Sequence, residues 1–582
     1  MDTNKKIQNA PVYHITAPYG WMNDPCAPGF NAETQRYQLF YQWNPFGCEW
    51  GNMSWGHVTS DDLVHWKYGP EQPVLSPDQA YDHEGVFTGC MVPTSMDGHS
   101  QGATIFYSSV CKLPFSWETP PYPRGAAGIS VANLVEDGKW EKFQGNPIVK
   151  AEPESLSVTG FRDPFVAQWP ALKKARGTSA DLFAVVAGGV EDKGPCLFLY
   201  EVKMGNMTEW EYVGMLIQKP LHWRLDRHWS GDAGVNWECP GFMTLRVGSN
   251  ERHFVLAGSE GGLDRDHVLA PDMQLQKSPQ RNARWCMWMG GDFSVDNGTP
   301  EFEPKFAGLL DCGVFYAAST FHDPKSNRQV LWGWIIEEDA TIQRCREKGW
   351  TGCLALPREI FLLELHNIEG TISSQLERIA SFNVESVDSL STVRTMGIRP
   401  IVDLQALRGN SVLEAGQVFE LKQDTEQHLC SCKNTRWELR VSINLDQQCS
   451  RAGIRIVHDR KSSLFTEIFF SIKDEEIIVN RPKQAGRRQN FETNNRQERG
   501  PHTLLRRQED GRSKLEALDL RVFRDGQVLE VFANDRFALA TMVYVDVEDS
   551  KVLDEVSCFV DTKTSAEAKA QCWELSPFIA RE

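Results

Sequence analysis

Short runs of aromatic and β-branched residues, each closed off by Gly, Pro, Asn or Asp, recur along the chain up to about residue 375. The runs at 37–43, 85–92, 104–110, 181–187, 196–202, 253–258 and 329–334 have the length of strands, and no long helical periodicity competes with them. This pattern confines the chain to the all-β class, and does not by itself choose between sandwich, barrel and propeller. A second strand-rich region begins at about residue 395. Its runs at 437–445, 453–458, 464–472 and 518–533 alternate apolar and polar residues as half-buried antiparallel strands do. Asp525-Gly526, set between Val522-Phe523 and Val528-Leu529, is a hairpin signal. At 582 residues the chain exceeds what one core ordinarily serves. The expected division is therefore 1–375, a linker at 376–394, and 395–582. Within the last part, residues 481–514 carry ten basic and four acidic side chains, many amides and few apolar groups. That composition predicts a disordered insertion between strands.

Charge and cysteine usage narrow the partners. With 61 basic against 78 acidic residues the net charge is −17, which argues against nucleic acid and an anionic membrane surface as main partners and suits a neutral ligand. No apolar stretch follows Met1-Asp2-Thr3-Asn4-Lys5-Lys6, and the most apolar segment, 182–190, is far too short to span a bilayer. Fifteen irregularly spaced cysteines suit a reducing compartment. A cytoplasmic location is the expectation. His and Cys show no zinc spacing, so neither metal nor cofactor is expected.

Three acids carry the chemistry. Asp24 lies in Trp21-Met22-Asn23-Asp24-Pro25, Asp163 in Phe161-Arg162-Asp163-Pro164-Phe165 and Glu238 in Trp237-Glu238-Cys239-Pro240. Each stretch reads as a turn or strand end, and in Asn-Asp-Pro this is because Asp caps its own backbone and Pro fixes the next φ. Two carboxyl groups facing across a sugar cut a glycosidic bond: one attacks, and the other, kept protonated by burial or by a neighbouring charge, protonates the leaving oxygen. A third carboxylate can hold sugar hydroxyls as charge develops. Taken singly, each motif is more ordinary as a turn or a surface ion pair, and Trp21, Trp50, Trp55 and Trp237 as core packing.

Taken together and in order, the motifs resemble glycoside hydrolase family 32, the invertase, inulinase and fructosyltransferase family, and most closely its intracellular fungal β-fructofuranosidases. The matching motifs begin with 21–25, Tyr-Gln-Trp-Asn-Pro (41–45), Trp-Gly-Asn-Met-Ser-Trp-Gly-His (50–57), Gly-Val-Phe-Thr-Gly (85–89), 161–164 and 238–240. Phe315-Tyr316-Ala317, Gly333-Trp334, Leu356-Pro357-Arg358-Glu359 and the 521–533 stretch follow. The resemblance implies a five-bladed β-propeller followed by a C-terminal β-sandwich. It also implies Asp24 as nucleophile, Glu238 as acid/base and Asp163 as transition-state stabiliser. Asn23, Gln42, Trp50, Phe87, Thr88, Arg162 and Trp334 match positions lining the fructosyl pocket, and Arg162 is expected to hold Asp163 ionised through paired hydrogen bonds.

The implied activity is retaining hydrolysis of sucrose with fructosyl transfer to sugar acceptors. A fructan exohydrolase, an arabinan-cleaving relative and a non-catalytic sugar-binding protein are the alternatives; the sandwich either buries one face of the propeller or carries a homodimer contact. Two positions depart from the family. Cys26-Ala27 stands where Asn-Gly is usual, and Thr88 where Ser is usual; both are expected in or beside the pocket.

Overall fold

The computed structural model describes residues 10–577 apart from 99–101, 136–137, 263–280, 415, 424, 447, 460–462, 483–491, 546–553 and 564. Five antiparallel sheets follow one another along the chain. They begin with the strands Gly20–Asn31, Val158–Ala167, Asn236–Val247 and Phe315–Asp323, and, between the first two of these, Gly85–Val92. These five leading strands touch in a closed ring, the fifth packing back against the first. Such a ring is the inner wall of a five-bladed propeller. Radial repetition of this kind leaves only short sheet edges. A two-residue strand, Trp350–Thr351, pairs parallel with Gly20-Trp21 and ties the last blade to the first. Among the described residues no helix is long and apolar enough to cross a membrane.

The inner strands share one irregularity. Each slips register against its neighbour at the same level of the ring. The slips fall between Met22 and Pro25, Val86 and Gly89, Arg162 and Phe165, Glu238 and Gly241, and Tyr316 and Ser319. Such bulges bend a strand and re-aim its side chains. They also accommodate Pro25, Pro164 and Pro240, which could not sit in a regular inner strand because proline donates nothing to the ladder. Asp163, Cys239 and Ala317 take left-handed backbone angles there, with φ of 63°, 45° and 53°. The acid motifs are therefore bulges inside strands rather than the turns or strand ends their residues suggest.

Beyond the propeller, two sheets face each other over an apolar core. One runs Arg408–Leu413, Ala566–Leu575, Arg436–Asn444, Leu518–Asp525, Val528–Ala533, Phe537–Met542; the other runs from Glu426–Cys432 through Asp554–Asp561 to Glu498–Pro501. The stretch 376–394 joins the regions, but as structure: a turn of 3-10 helix at Leu376–Arg378, then Asn383–Val387 and Leu390–Pro400, which extend the fifth propeller sheet.

The expectation of disorder at 481–514 is corrected. Residues 483–491 lie outside the described residues, but the rest forms the strands Glu498–Pro501, Leu505–Glu509 and Arg512–Leu515. Composition misled because the charges have distant partners. Arg481 meets Asp339 at 3.0 Å and Glu498 at 3.2 Å, Glu498 accepts from Arg281 at 2.7 Å, and Arg499 donates to Glu476 at 2.6 Å.

The hairpin of 518–533 has a specific task. Asp525 accepts backbone N–H groups of Val12, Tyr13 and His14. His14 bridges Asp525 at 2.9 Å and Glu530 at 3.0 Å, and Arg358 joins Glu530 at 2.7 Å and Asp311 at 2.8 Å. All five side chains are buried. This network fastens the sandwich to the propeller and to the segment that enters it.

Candidate active site

Because each inner strand bulges at the same level, their side chains converge. Asp24 comes from the first blade, and Thr88 from the second reaches its Oδ2 through the hydroxyl. Gln42 donates to the same oxygen at 3.4 Å and also to Thr88 Oγ1, while Asn23 donates to Oδ1 at 3.1 Å. Trp21 fixes Asn23 by an indole N–H at 3.2 Å and stands edge-on to Trp334 with ring centres 5.6 Å apart. Trp50, half exposed, meets Phe87 edge-on at 6.0 Å. Phe87 packs on Phe115, over whose ring the Arg162 guanidinium sits at 5.8 Å.

Cys239 connects the acids. Its backbone N–H donates to Asp163 Oδ2 at 3.1 Å, and its thiol lies 3.5 Å from Asp24 Oδ2 and 3.6 Å from Asp163 Oδ2. The left-handed backbone at Cys239 turns both groups toward the carboxylates. Asp163 N–H is anchored on Ser108 Oγ at 2.6 Å. All ten residues named from the sequence thus lie in this one constellation.

One expectation changes. Arg162 gives its paired hydrogen bonds to Glu238, from Nε at 3.0 Å and Nη2 at 2.7 Å, and approaches Asp163 only to 4.0 Å. Neighbours on a strand send their side chains in different directions, which the sequence adjacency concealed. Cys26, expected in or beside the pocket, is fully buried between the first two blades with Ala27, Phe40, Trp55 and Val86. Its thiol lies 3.5 Å from the backbone oxygen of Asp24 and also meets the Thr88 side chain and the Gly89 backbone, so it stands beside the pocket, behind the Asp24 segment.

Two residues with no assigned role complete the group. Glu260 accepts from Arg162 Nη2 at 2.7 Å and from Asn236 at 2.8 Å. The Tyr316 hydroxyl donates to Glu238 Oε2 at 2.8 Å. The 315–317 motif carried a signal for Tyr316, whereas Glu260, at a strand end beside Gly261-Gly262, carried none.

Electrostatics divides the acids. Burial pushes Asp24 up to about 6, against the hydrogen bond from Thr88 and with help from the Glu238 charge. Burial pushes Asp163 up to about 8, opposed by Arg162. Glu260 is raised to about 7 by burial and by the charge on Glu238. Glu238 moves the other way. Burial alone would raise it, but the Arg162 charge and hydrogen bonds, then Arg284 and Tyr316, hold it below the usual glutamate range. A raised Glu238 was the expectation. Its guanidinium partner is the reason it fails.

Comparison with known proteins matches residues 14–372 to the glycosyl hydrolases family 32 N-terminal domain and residues 403–574 to the C-terminal domain of that family. An acid beta-fructofuranosidase of Solanum lycopersicum is 28% identical over 471 residues, covering 79% of this chain and 66% of that protein. One of Capsicum annuum is 31% identical over 351 residues, covering 60% and 48%. The chain thus spans two thirds or less of these relatives' length. Among solved structures, an Aspergillus kawachii beta-fructofuranosidase complexed with glycerol has a TM-score of 0.85 at 24% identity, covering 99% of this chain and 96% of that one. A fructosyltransferase of A. japonicus has a TM-score of 0.84 at 24% identity, covering 98% and 96%. These last two are likenesses of fold.

Proposed function

Since the chain belongs to glycosyl hydrolases family 32, we propose that it is a retaining β-fructofuranosidase that cleaves sucrose and passes fructosyl groups to sugar acceptors as well as to water. The observation that carries this reading is the convergence of Asp24, Asp163 and Glu238 at the bulges of three inner strands, joined through Cys239 and Arg162. The names of its relatives, beta-fructofuranosidases, support the substrate class.

Asp24, oriented by Asn23, Gln42 and Thr88, attacks the anomeric carbon of the fructosyl unit. Those donors favour its ionised form against burial. Glu238 protonates the departing glucose oxygen and then takes a proton from water or an acceptor hydroxyl. For the first step it must hold a proton that Arg162 disfavours. Asp163 and Glu260, raised by burial, keep protons within the same cluster, so a shared proton is available on the acid side of neutrality. Asp163 receives fructosyl hydroxyls. Arg162 Nη1, buried and without a hydrogen-bond partner, offers one more donor for a sugar oxygen. Trp50 presents an exposed ring on which an acceptor sugar stacks. A reducing, cytoplasmic setting is supported by the fact that all fifteen cysteines are free.

Chromatography of the products from sucrose tests the reading. Glucose in excess of fructose, with a trisaccharide growing in at high sucrose, is expected. Equal glucose and fructose at every concentration would remove the transfer component, and absence of turnover would refute the whole assignment.

A further inference from the structure

Three cysteine sulfurs meet inside the sandwich, in the second domain. Cys430 and Cys432 come from Glu426–Cys432, an edge strand of one sheet, and Cys572 from Ala566–Leu575 in the other. The sulfurs all lie within 4.8 Å of one another, with Cys432 and Cys572 at 3.7 Å. Cys432 and Cys572 are fully buried and Cys430 is 4% exposed. The pairing of Glu426–Cys432 with Asp554–Asp561 slips between His428 and Cys430, and the consecutive Leu429 and Cys430 are both buried. A bulge re-aims a side chain, and this one brings Cys430 to the same interior point as Cys432. Sequence spacing hides the group, because Cys432 and Cys572 are 140 residues apart.

The spacing favours ligation over a cross-link. A disulfide needs its sulfurs about 2.05 Å apart. An ion about 2.3 Å from each sulfur sets them roughly 3.8–4.0 Å apart, whether the arrangement is tetrahedral or trigonal, and the 3.7 Å contact matches that. Among the described residues no His, Asp or Glu joins the three, and the surroundings are the apolar core of the sandwich. Structural Zn²⁺ takes four ligands; soft thiolate sulfur alone suits Cu(I).

We infer that Cys430, Cys432 and Cys572 form a binding site for a soft monovalent metal ion, Cu(I), that ties one sheet of the sandwich to the other. Each thiol that ligates releases its proton to solvent, and no electron moves, because copper enters and stays as Cu(I). Ligand binding to the folded state alone stabilises it, so the loaded sandwich melts later.

The test is an oxygen-free titration of the reduced full-length chain with Cu(I) against the chelator bicinchoninate. The wild type is expected to retain one equivalent, with thiolate-to-copper absorption in the ultraviolet and a raised melting temperature. Cys432→Ser, and separately Cys430→Ser on the edge strand, should bind that equivalent at least about tenfold more weakly while keeping the wild-type far-ultraviolet dichroism. Surrender of all Cu(I) to the chelator by the wild type would overturn the proposal. So would variants that bind as the wild type does, or retention of Zn²⁺ where Cu(I) is not retained.

Discussion

At the scale of single residues, the site works through a division of protons that adjacency in sequence does not reveal. Glu238 is held ionised by Arg162 and Tyr316, while Asp24, Glu260 and Asp163 give up protons near 6, 7 and 8. The productive state, with Asp24 ionised and Glu238 protonated, has the same proton count as states with the proton on a neighbour. It disappears when the cluster loses its last shared proton. Sucrose turnover should therefore be greatest on the acid side and fall as pH rises through 6 to 8; a rate constant up to pH 9 would contradict this. Tyr316→Phe removes a 2.8 Å hydrogen bond that favours charged Glu238. Turnover should drop by about 10–100-fold and the alkaline limb should move upward. A merely structural tyrosine would lower the rate without moving the limb. The three acids and their pocket neighbours were legible because their types and flanks match a family pattern. The partner of Arg162 was not, since which way a side chain leaves a bulged strand depends on pairing that a sequence does not display.

At the scale of elements, five bulges in register build the site. Strands were legible from their alternation and punctuation, and Pro25, Pro164 and Pro240 were visible from the start. Their meaning was read as turns because proline in an inner strand is rare outside a bulge. Gly89 shows how tightly one bulge is packed. A Cβ at this position would lie 1.9 Å from Phe106 O and 2.7 Å from Tyr107 Cα, both backbone atoms of the adjacent strand. Gly89→Ala must push the strands apart and displace Thr88 from Asp24. The expected loss is about 3 kcal/mol in stability, read as a lower melting temperature, with turnover reduced beyond what the unfolded fraction explains. The misread segment 481–514 teaches the converse. Arg481 pairs with Asp339, 142 residues away, and a local count of charges cannot see such a partner.

At the scale of the whole molecule, sandwich and propeller are joined by a buried ionic network rather than by a flexible hinge. His14 would lose its charge to burial, but hydrogen bonds and charges of Asp525 and Glu530 raise it from 6.5 to about 9. The raised value means that the folded state binds the proton more tightly. Its stabilisation is complete below 6.5 and is lost as pH rises through about 9. The shift corresponds to roughly 3 kcal/mol. The melting temperature should fall across that window, and His14→Gln should flatten the fall. Glu530→Gln leaves His14 and Arg358 short of a buried counter-charge and should destabilise by about 3–5 kcal/mol. The 521–533 motif was legible as a family signature. Its work as a fastening was not, because the partners Val12, His14 and Arg358 belong to other parts of the chain.

The central claim is that Asp24 forms a covalent bond to the fructosyl group. Glu238→Gln, supplied with a fructoside whose leaving group needs no acid, should accumulate that intermediate. After acid quenching and proteolysis, mass spectrometry should find one anhydrohexose on the peptide bearing Asp24 and none in the Asp24→Asn, Glu238→Gln double variant. An adduct on any other residue, or fructoside turnover with inverted configuration and no adduct, would contradict the account.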